Sequence, residues 1–243
     1  MHKFFVEDNQ IKDNKIKIIN NDYNHIVNVL RMKKEDNILI TNKNTLETYN
    51  CKIEQINSSE VVCNIISVEN KEVEMNVKVD IFQGLPKADK MEYIIQKCVE
   101  LGVHKIVPVN MKYCVAKIKD EDKKNIRWNT ISEVAAKQCK RNLIPKIEKS
   151  INMANLYNEI KNYDLAIVAY ENEDNTTIKN VLQENKNVKS IAVIIGPEGG
   201  ISSDEIDSLK NLGVKIVSLG NRILRTETAS IVALSMIVYE FEL

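Results

Sequence analysis

Two segments near the carboxyl end combine residue types at spacings that could do chemistry. They are IIGPEGGISSDE (Ile194–Glu205) and LGNRILRTETA (Leu219–Ala229). The first reads as a strand that stops in a glycine-rich loop and restarts as a helix, the outline of a phosphate cradle. It nevertheless fits neither G-x-G-x-x-G nor G-x-x-x-x-G-K-[ST]. Glu198, fixed in the turn by Pro197, would repel a pyrophosphate, and Ser202 with Glu205 forms a capping box that satisfies the helix's own free amides. The loop therefore suits a ligand that is neutral or cationic near Glu198 and closely approached by bare backbone at the glycines. The second segment adds Arg222, Arg225, Thr226, Glu227 and Thr228 at the mouth of a sheet, where open α/β proteins bind ligands. Thr226 as a helix cap and Glu227 at the positive end of the helix dipole account for part of it. They leave two arginines beside an apolar helix, a costly placement unless they are paired or used.

These loops need a frame to hold them. LAIVAY, SIAVII and VKIVSL are continuous apolar runs, as expected of parallel strands buried on both faces. Upstream, VKVDIF and KIVPV read as two more strands, with a helix from about Lys87 to Leu101 between them and a long basic helix from about Asp120 to Arg141 after them. The chain ends in TASIVALSMIVYEF, apolar nearly all round, so this helix is buried in a core or against a partner. Residues 37–69 differ in texture. Their short β-like runs, NILIT, TYNCKIEQI and VVCNIISV, predict a small antiparallel barrel preceded by a brief helix at NDYNHIVNVLRM. The expected division is a β-barrel domain over 1–72 and an α/β domain over 73–243.

Composition narrows the function classes. No apolar run reaches membrane-spanning length, and acids stand in MHKFFVEDNQ where a signal peptide would have its apolar centre. The five cysteines are an odd number with no C-x-x-C pair, which points to reduced thiols in a cytoplasmic protein and to neither a disulfide frame nor a metal site. Formal net charge is zero, but residues 84–149 carry 15 basic and 8 acidic side chains. A local excess of this kind can meet a phosphate backbone, or can be a solvated lysine-rich surface.

Taken together, IGPEGGIS and LGNRILRTETA resemble the paired C-terminal signatures of the RsmE-type ribosomal RNA methyltransferases of the SPOUT class. HIVNVLRMKKED (25–36), QGLPKADKMEYIIQKCVELGV (83–103) and RWNTISEVAAKQCKRNLIP (127–145) resemble that family's other signatures, in the same order. The resemblance implies a PUA-like RNA-binding barrel and a C-terminal domain threaded into a trefoil knot. It also implies a homodimer, S-adenosylmethionine as methyl donor, and methylation of N3 of a uridine in 16S rRNA, as free RNA or in the assembled small subunit. By motif position it carries over Ile195, Gly196, Gly200, Leu219, Gly220, Ile223, Leu224, Thr226 and Ala229 as the donor pocket. It makes Arg31, Lys33, Lys87, Lys90, Lys112, Lys140 and Arg141 candidate RNA contacts. One departure from the family pattern is MKYCVAK, where Lys112 stands in an expected arginine-containing patch.

The chemistry agrees with such a donor, because a sulfonium and an amino group tolerate an acidic loop. Uracil N3 is a poor nucleophile while protonated, so it needs a base or a cation that stabilises the anion. Arg225 is expected to hold a carbonyl oxygen of the base, and Glu198 or Glu227 to accept or relay the proton. Alternatively, Arg225 pairs with Glu227 or with the donor's carboxylate. Three other readings stay open: a SPOUT enzyme acting on tRNA or a ribose 2′-hydroxyl, a non-catalytic RNA-binding relative, and, from element order alone, a dinucleotide-dependent oxidoreductase.

Overall fold

In KIKII (Lys15–Ile19) the isoleucines Ile16 and Ile18 enter a core while the lysines face solvent, the period-two pattern of a half-buried strand. The computed structural model describes residues 1–243. The chain separates into two compact units, Met1–Glu74 with Ala136–Ile144, and Met75–Ala135 with Pro145–Leu243.

The first unit is a six-stranded sheet. Its strands are β1 (His2–Val6), β2 (Ile11–Lys12), β3 (Lys15–Ile19), β4 (Asn37–Asn42), β5 (Thr48–Ile56) and β6 (Glu60–Glu69), in the order β1-β4-β5-β6-β3-β2. β1 is parallel to β4 and the other neighbours are antiparallel. α1 (Asn20–Asn24) continues as a π turn over His25–Val29, which puts Ile26 into the core with Phe4, Ile38, Ile40 and Ile53. The sheet is therefore larger than the three strands read from residues 37–69. The 136–144 segment is tied to this unit by Glu74, which accepts from the amides of Asn142 (2.9 Å) and Leu143 (3.0 Å) and pairs with Arg141.

The second unit is α/β with a wholly parallel sheet. Its elements are β7 (Lys78–Gly84), α2 (Lys90–Glu100), β8 (Lys105–Asn110), α3 (Glu121–Cys139, its last turn in the first unit), β9 (Lys146–Ile147), β10 (Ile151–Asn152), α4 (Met153–Glu159), β11 (Leu165–Ala169), α5 (Ile178–Glu184), β12 (Ser190–Ile195), α6 (Ser203–Asn211), β13 (Lys215–Val217) and α7 (Thr226–Phe241). The strand order is β10-β8-β7-β12-β11-β13, with β9 also on β8. Val79, Ile81, Phe82, Val193 and Ile194 are buried, as strands covered on both faces require. β12 and β11 end in register at Ile195 and Ala169, and β11 and β13 at Ala169 and Val217. The loops that leave these three strands consequently emerge side by side.

β13 lies at the outer edge beside β11, yet α7 packs against α2, β12 and β7. The segment after β13 therefore crosses back over the strand ends. A buried polar network fixes where it lands. Gln83 at the end of β7 donates to Thr226 Oγ1 (2.9 Å) and accepts from Ser230 Oγ, and Thr226 Oγ1 donates to the carbonyl of Gly196 (2.6 Å). Thr226 is thus not the helix cap. Arg225 occupies the cap position with extended backbone, and the threonine hydroxyl serves the network.

Candidate active site

Three loops and two helix starts enclose a cavity of about 530 Å³ at the carboxyl ends of β11, β12 and β13. Its walls include Tyr170, Glu171 and Asp174 after β11, Ile195–Glu198 and Gly200 after β12, and Ser218–Arg225 after β13. Lys90 from the start of α2 and Thr226 and Ala229 from α7 complete it. All nine residues carried over as the donor pocket, Ile195, Gly196, Gly200, Leu219, Gly220, Ile223, Leu224, Thr226 and Ala229, line this one space.

Local sequence explains the shape. The Gly200 amide donates to the Pro197 carbonyl at 3.0 Å, closing a tight turn. Ser202 and Glu205 then start α6 through the expected capping box, with Ser202 N–H donating to Glu205 Oε2 at 3.0 Å. Gly200 has φ +75°, and a Cβ there would lie 2.4 Å from Glu171 Oε1. Only glycine allows the carboxylate of the first loop to approach the backbone of the second this closely. The first and third loops are joined as well, through Tyr170 N–H to the Val217 carbonyl (3.1 Å) and Ser218 N–H to the Thr176 carbonyl (2.8 Å).

The charged groups divide into committed and free. Glu198 accepts from the Lys87 amide at 3.0 Å and from Lys90 Nζ at 2.9 Å. Burial pushes its carboxyl up, but the hydrogen bonds from Lys90 and from backbone amides outweigh burial and hold it below the usual range. The hydrogen bond to Glu198, against a smaller opposing desolvation, holds the Lys90 ammonium above its ordinary value. Lys90 Nζ also lies 3.2 Å from Glu227 Oε2. Glu227 Oε2 is buried, and this ion pair is its one contact. Glu227 itself is not on the cavity wall. Arg222 and Arg225 line the cavity, are exposed, and their side chains make no hydrogen bond or ion pair. The alternative pairing of Arg225 with Glu227 does not form.

The expected RNA contacts are scattered. Lys90 lies in the cavity wall between two carboxylates, and the exposed Lys87 binds Glu198 through its amide. Lys112 pairs with Asp204 at 3.0 Å. Arg31, Lys33 and Lys140 are exposed on the first unit. Arg141 is turned inward: its side chain is 5% exposed and its Nε lies 3.1 Å from Glu74 Oε2, so it cannot face a phosphate. Trp128, within the basic stretch, is buried and cannot stack on a base. Tyr170, Glu171 and Asp174 were not among the expected site residues, although their place at the end of the buried run LAIVAY and just after it was a usable signal.

The arrangement can hold a cationic or neutral ligand of small-molecule size, because a cavity of this volume is ample for one. Ile195, Leu219, Ile223, Leu224 and Ala229 give apolar walls, Glu171, Asp174 and Glu198 give negative charge, and the loops give bare backbone. Two free guanidinium groups, of Arg222 and Arg225, line it as well.

Comparison with known proteins decides the family. Residues 73–238 match the RNA methyltransferase domain model and residues 18–66 the RNA methyltransferase PUA domain model. The chain belongs to the RNA methyltransferase family. It is 34% identical to ribosomal RNA small subunit methyltransferase E of Bacillus subtilis, over 100% of this chain and 98% of that protein. Against the Mesomycoplasma hyopneumoniae methyltransferase E the identity is also 34%, over 97% of this chain and 98% of the relative. A solved structure from Legionella pneumophila, described as a candidate methyltransferase with bound cofactor SAM, superposes with a TM-score of 0.87 at 29% identity. The match covers 98% of this chain and 96% of that one. In this RNA methyltransferase the PUA-domain match falls in the first unit, most of the methyltransferase-domain match falls in the second, and the cavity lies within the latter.

Proposed function

We propose that this RNA methyltransferase uses S-adenosylmethionine to methylate N3 of a uridine in 16S rRNA. The observation that carries the reading is the convergence of all nine expected donor-pocket residues on one cavity with an unpaired arginine at its edge. The donor supplies an electrophilic methyl group carried on a sulfonium sulfur. Ile195, Leu219, Ile223 and Leu224 suit its adenine, and the carboxylates of Glu171 and Asp174 suit its positive charges. Positioning by such walls supplies much of the rate in a displacement at carbon.

On the acceptor side, Arg225 places its guanidinium where the uracil oxygens would gather charge as N3 loses its proton. Glu198 is already engaged by Lys90 and the Lys87 amide, which makes it a poor proton acceptor. Glu227 is held by Lys90 alone, without the backbone amide that also engages Glu198, and is the better candidate once Lys90 shifts. The chain is further inferred to work as a homodimer in the cytoplasm with its C-terminal segment knotted. A second copy would cover the side of α7 that leaves Met236 and Tyr239 exposed. The knot agrees with the return of α7 from the edge strand β13 to β7.

The test is transfer of labelled methyl from S-adenosylmethionine to small-subunit particles and to protein-free 16S rRNA, with the modified base mapped. Label as 3-methyluridine at one position supports the reading. A 2′-O-methyl ribose, label only in tRNA, or no transfer to either RNA overturns it.

A further inference from the structure

A second, shallower depression of about 460 Å³ adjoins the donor cavity, lined by Lys112, Tyr113, Cys114, Val115 and Gly199. The turn Pro197–Gly200 stands between the two: Glu198 and Gly200 line the cavity, and Gly199 faces the depression. A Cβ at Gly199 would lie 2.9 Å from Tyr113 Cβ and 3.2 Å from the Tyr113 carbonyl, so the missing side chain lets Tyr113 sit against the turn. The depression is held in place from below. The Lys112 amide donates to Glu205 Oε1 at 2.8 Å, and the Cys114 amide donates to the Met111 carbonyl at 3.0 Å.

On this fixed loop the exposed groups are an aromatic ring and its neighbours. Tyr113 is 46% exposed and its hydroxyl has no partner, while Val115 is 70% exposed. Lys117 and Lys119 follow, both exposed and unpaired. An aromatic face flanked by free ammonium groups matches single-stranded nucleic acid, whose unstacked bases stack on rings while lysines meet the phosphates.

We propose that this depression is a base-binding subsite in which a nucleotide beside the methylated uridine stacks on Tyr113. It rests on the RNA-methylation reading above. The base here is a neighbour and not the acceptor, because the Pro197–Gly200 turn walls it off from the space assigned to the donor. Lys117 and Lys119 contact the phosphates on that side.

The test compares Tyr113→Phe, Tyr113→Leu and Tyr113→Ala in the full-length protein. Binding of protein-free 16S rRNA and of assembled particles is measured by filter retention, and S-adenosylmethionine affinity by calorimetry. Loss of one base stack predicts about 5- to 100-fold weaker RNA binding in the Leu and Ala variants, with Phe near wild type and donor affinity unchanged. Full RNA affinity in the Leu variant overturns the proposal. So does a loss confined to assembled particles, which would make Tyr113 a protein contact, or an equal loss of donor affinity, which would make it packing for the Gly199 turn. RNA loss in the Leu variant, with no methyl transfer by wild type to the same RNA, supports the subsite and overturns the methylation reading instead.

Discussion

Thr226 Oγ1 donates to the carbonyl of Gly196 at 2.6 Å, joining the first residue of the last helix to the first glycine of the loop after β12. The same oxygen accepts from Gln83 Nε2 at 2.9 Å. One buried hydroxyl therefore sets the spacing of two cavity walls that are far apart in sequence. Donor binding should depend on it even though its capacity is spent within the protein.

Thr226→Val keeps the shape and removes the hydroxyl, leaving the Gly196 carbonyl without that donor and Gln83 Nε2 with the Gly84 carbonyl as its remaining acceptor. An orphaned buried polar group costs about 1–3 kcal/mol, and a chain of this size loses roughly 2–4 °C of Tm per kcal/mol. The expected result is a Tm lowered by several degrees and S-adenosylmethionine affinity reduced about tenfold or more. Thr226→Ser should restore most of both, by calorimetry.

Arg225 is unpaired at the cavity edge. Removal of one preorganised group that stabilises a developing anion costs about 10²–10³ in kcat. Arg225→Ala should show that loss while donor affinity changes little. If donor affinity collapses and residual turnover is near normal, Arg225 binds the donor and not the base.

Lys90 opposes the burial of Glu198 and keeps that carboxyl ionised. A carboxyl depressed in the folded state contributes stability that is present above its ordinary value of 4.5 and is lost as pH falls through the lower folded value. Lys90→Met removes the main opposing hydrogen bond, so the Glu198 pKa rises and the stability this carboxyl contributes above 4.5 shrinks. Tm measured against pH should be lower in the variant at neutral pH, and the gap to wild type should narrow as pH falls below about 4.5. Superimposable curves would show that backbone amides alone hold Glu198.

Much of the basic block is neutralised within the protein: Arg127 pairs with Glu92 at 2.7 Å, Lys149 with Asp122 at 2.7 Å and Lys146 with Glu148 at 2.9 Å. Lys117 and Lys119 remain free. The slope of log affinity for RNA against log salt should fall by roughly 1–2 in the Lys117→Ala, Lys119→Ala double variant. In Arg127→Ala it should barely change, and a large change there would mean that the Glu92 pair opens on binding.

The grouping of the cavity residues was legible because it is made of local signals: glycines, a proline and a capping box within two short loops. Long-range pairing was not legible. Arg141 looked like a surface cation because Glu74 is 67 positions away, and Lys90 looked like an RNA contact because Glu198 and Glu227 reach it only through the fold. VKIVSL read as a full buried strand, yet β13 spans only Lys215–Val217, since it is an edge strand with β11 as its one neighbour. β2, β9 and β10 have two residues each, too short for any period to register.

The most direct measurement is calorimetric titration of the intact protein with S-adenosylmethionine, alongside Gly200→Val. Wild type is predicted to bind one donor per chain. The variant, whose side chain would collide with Glu171 at a φ of +75°, should lose that binding while keeping its circular dichroism. No heat of binding in wild type, or unchanged affinity in a folded Gly200→Val protein, would contradict the assignment of this cavity to the methyl donor.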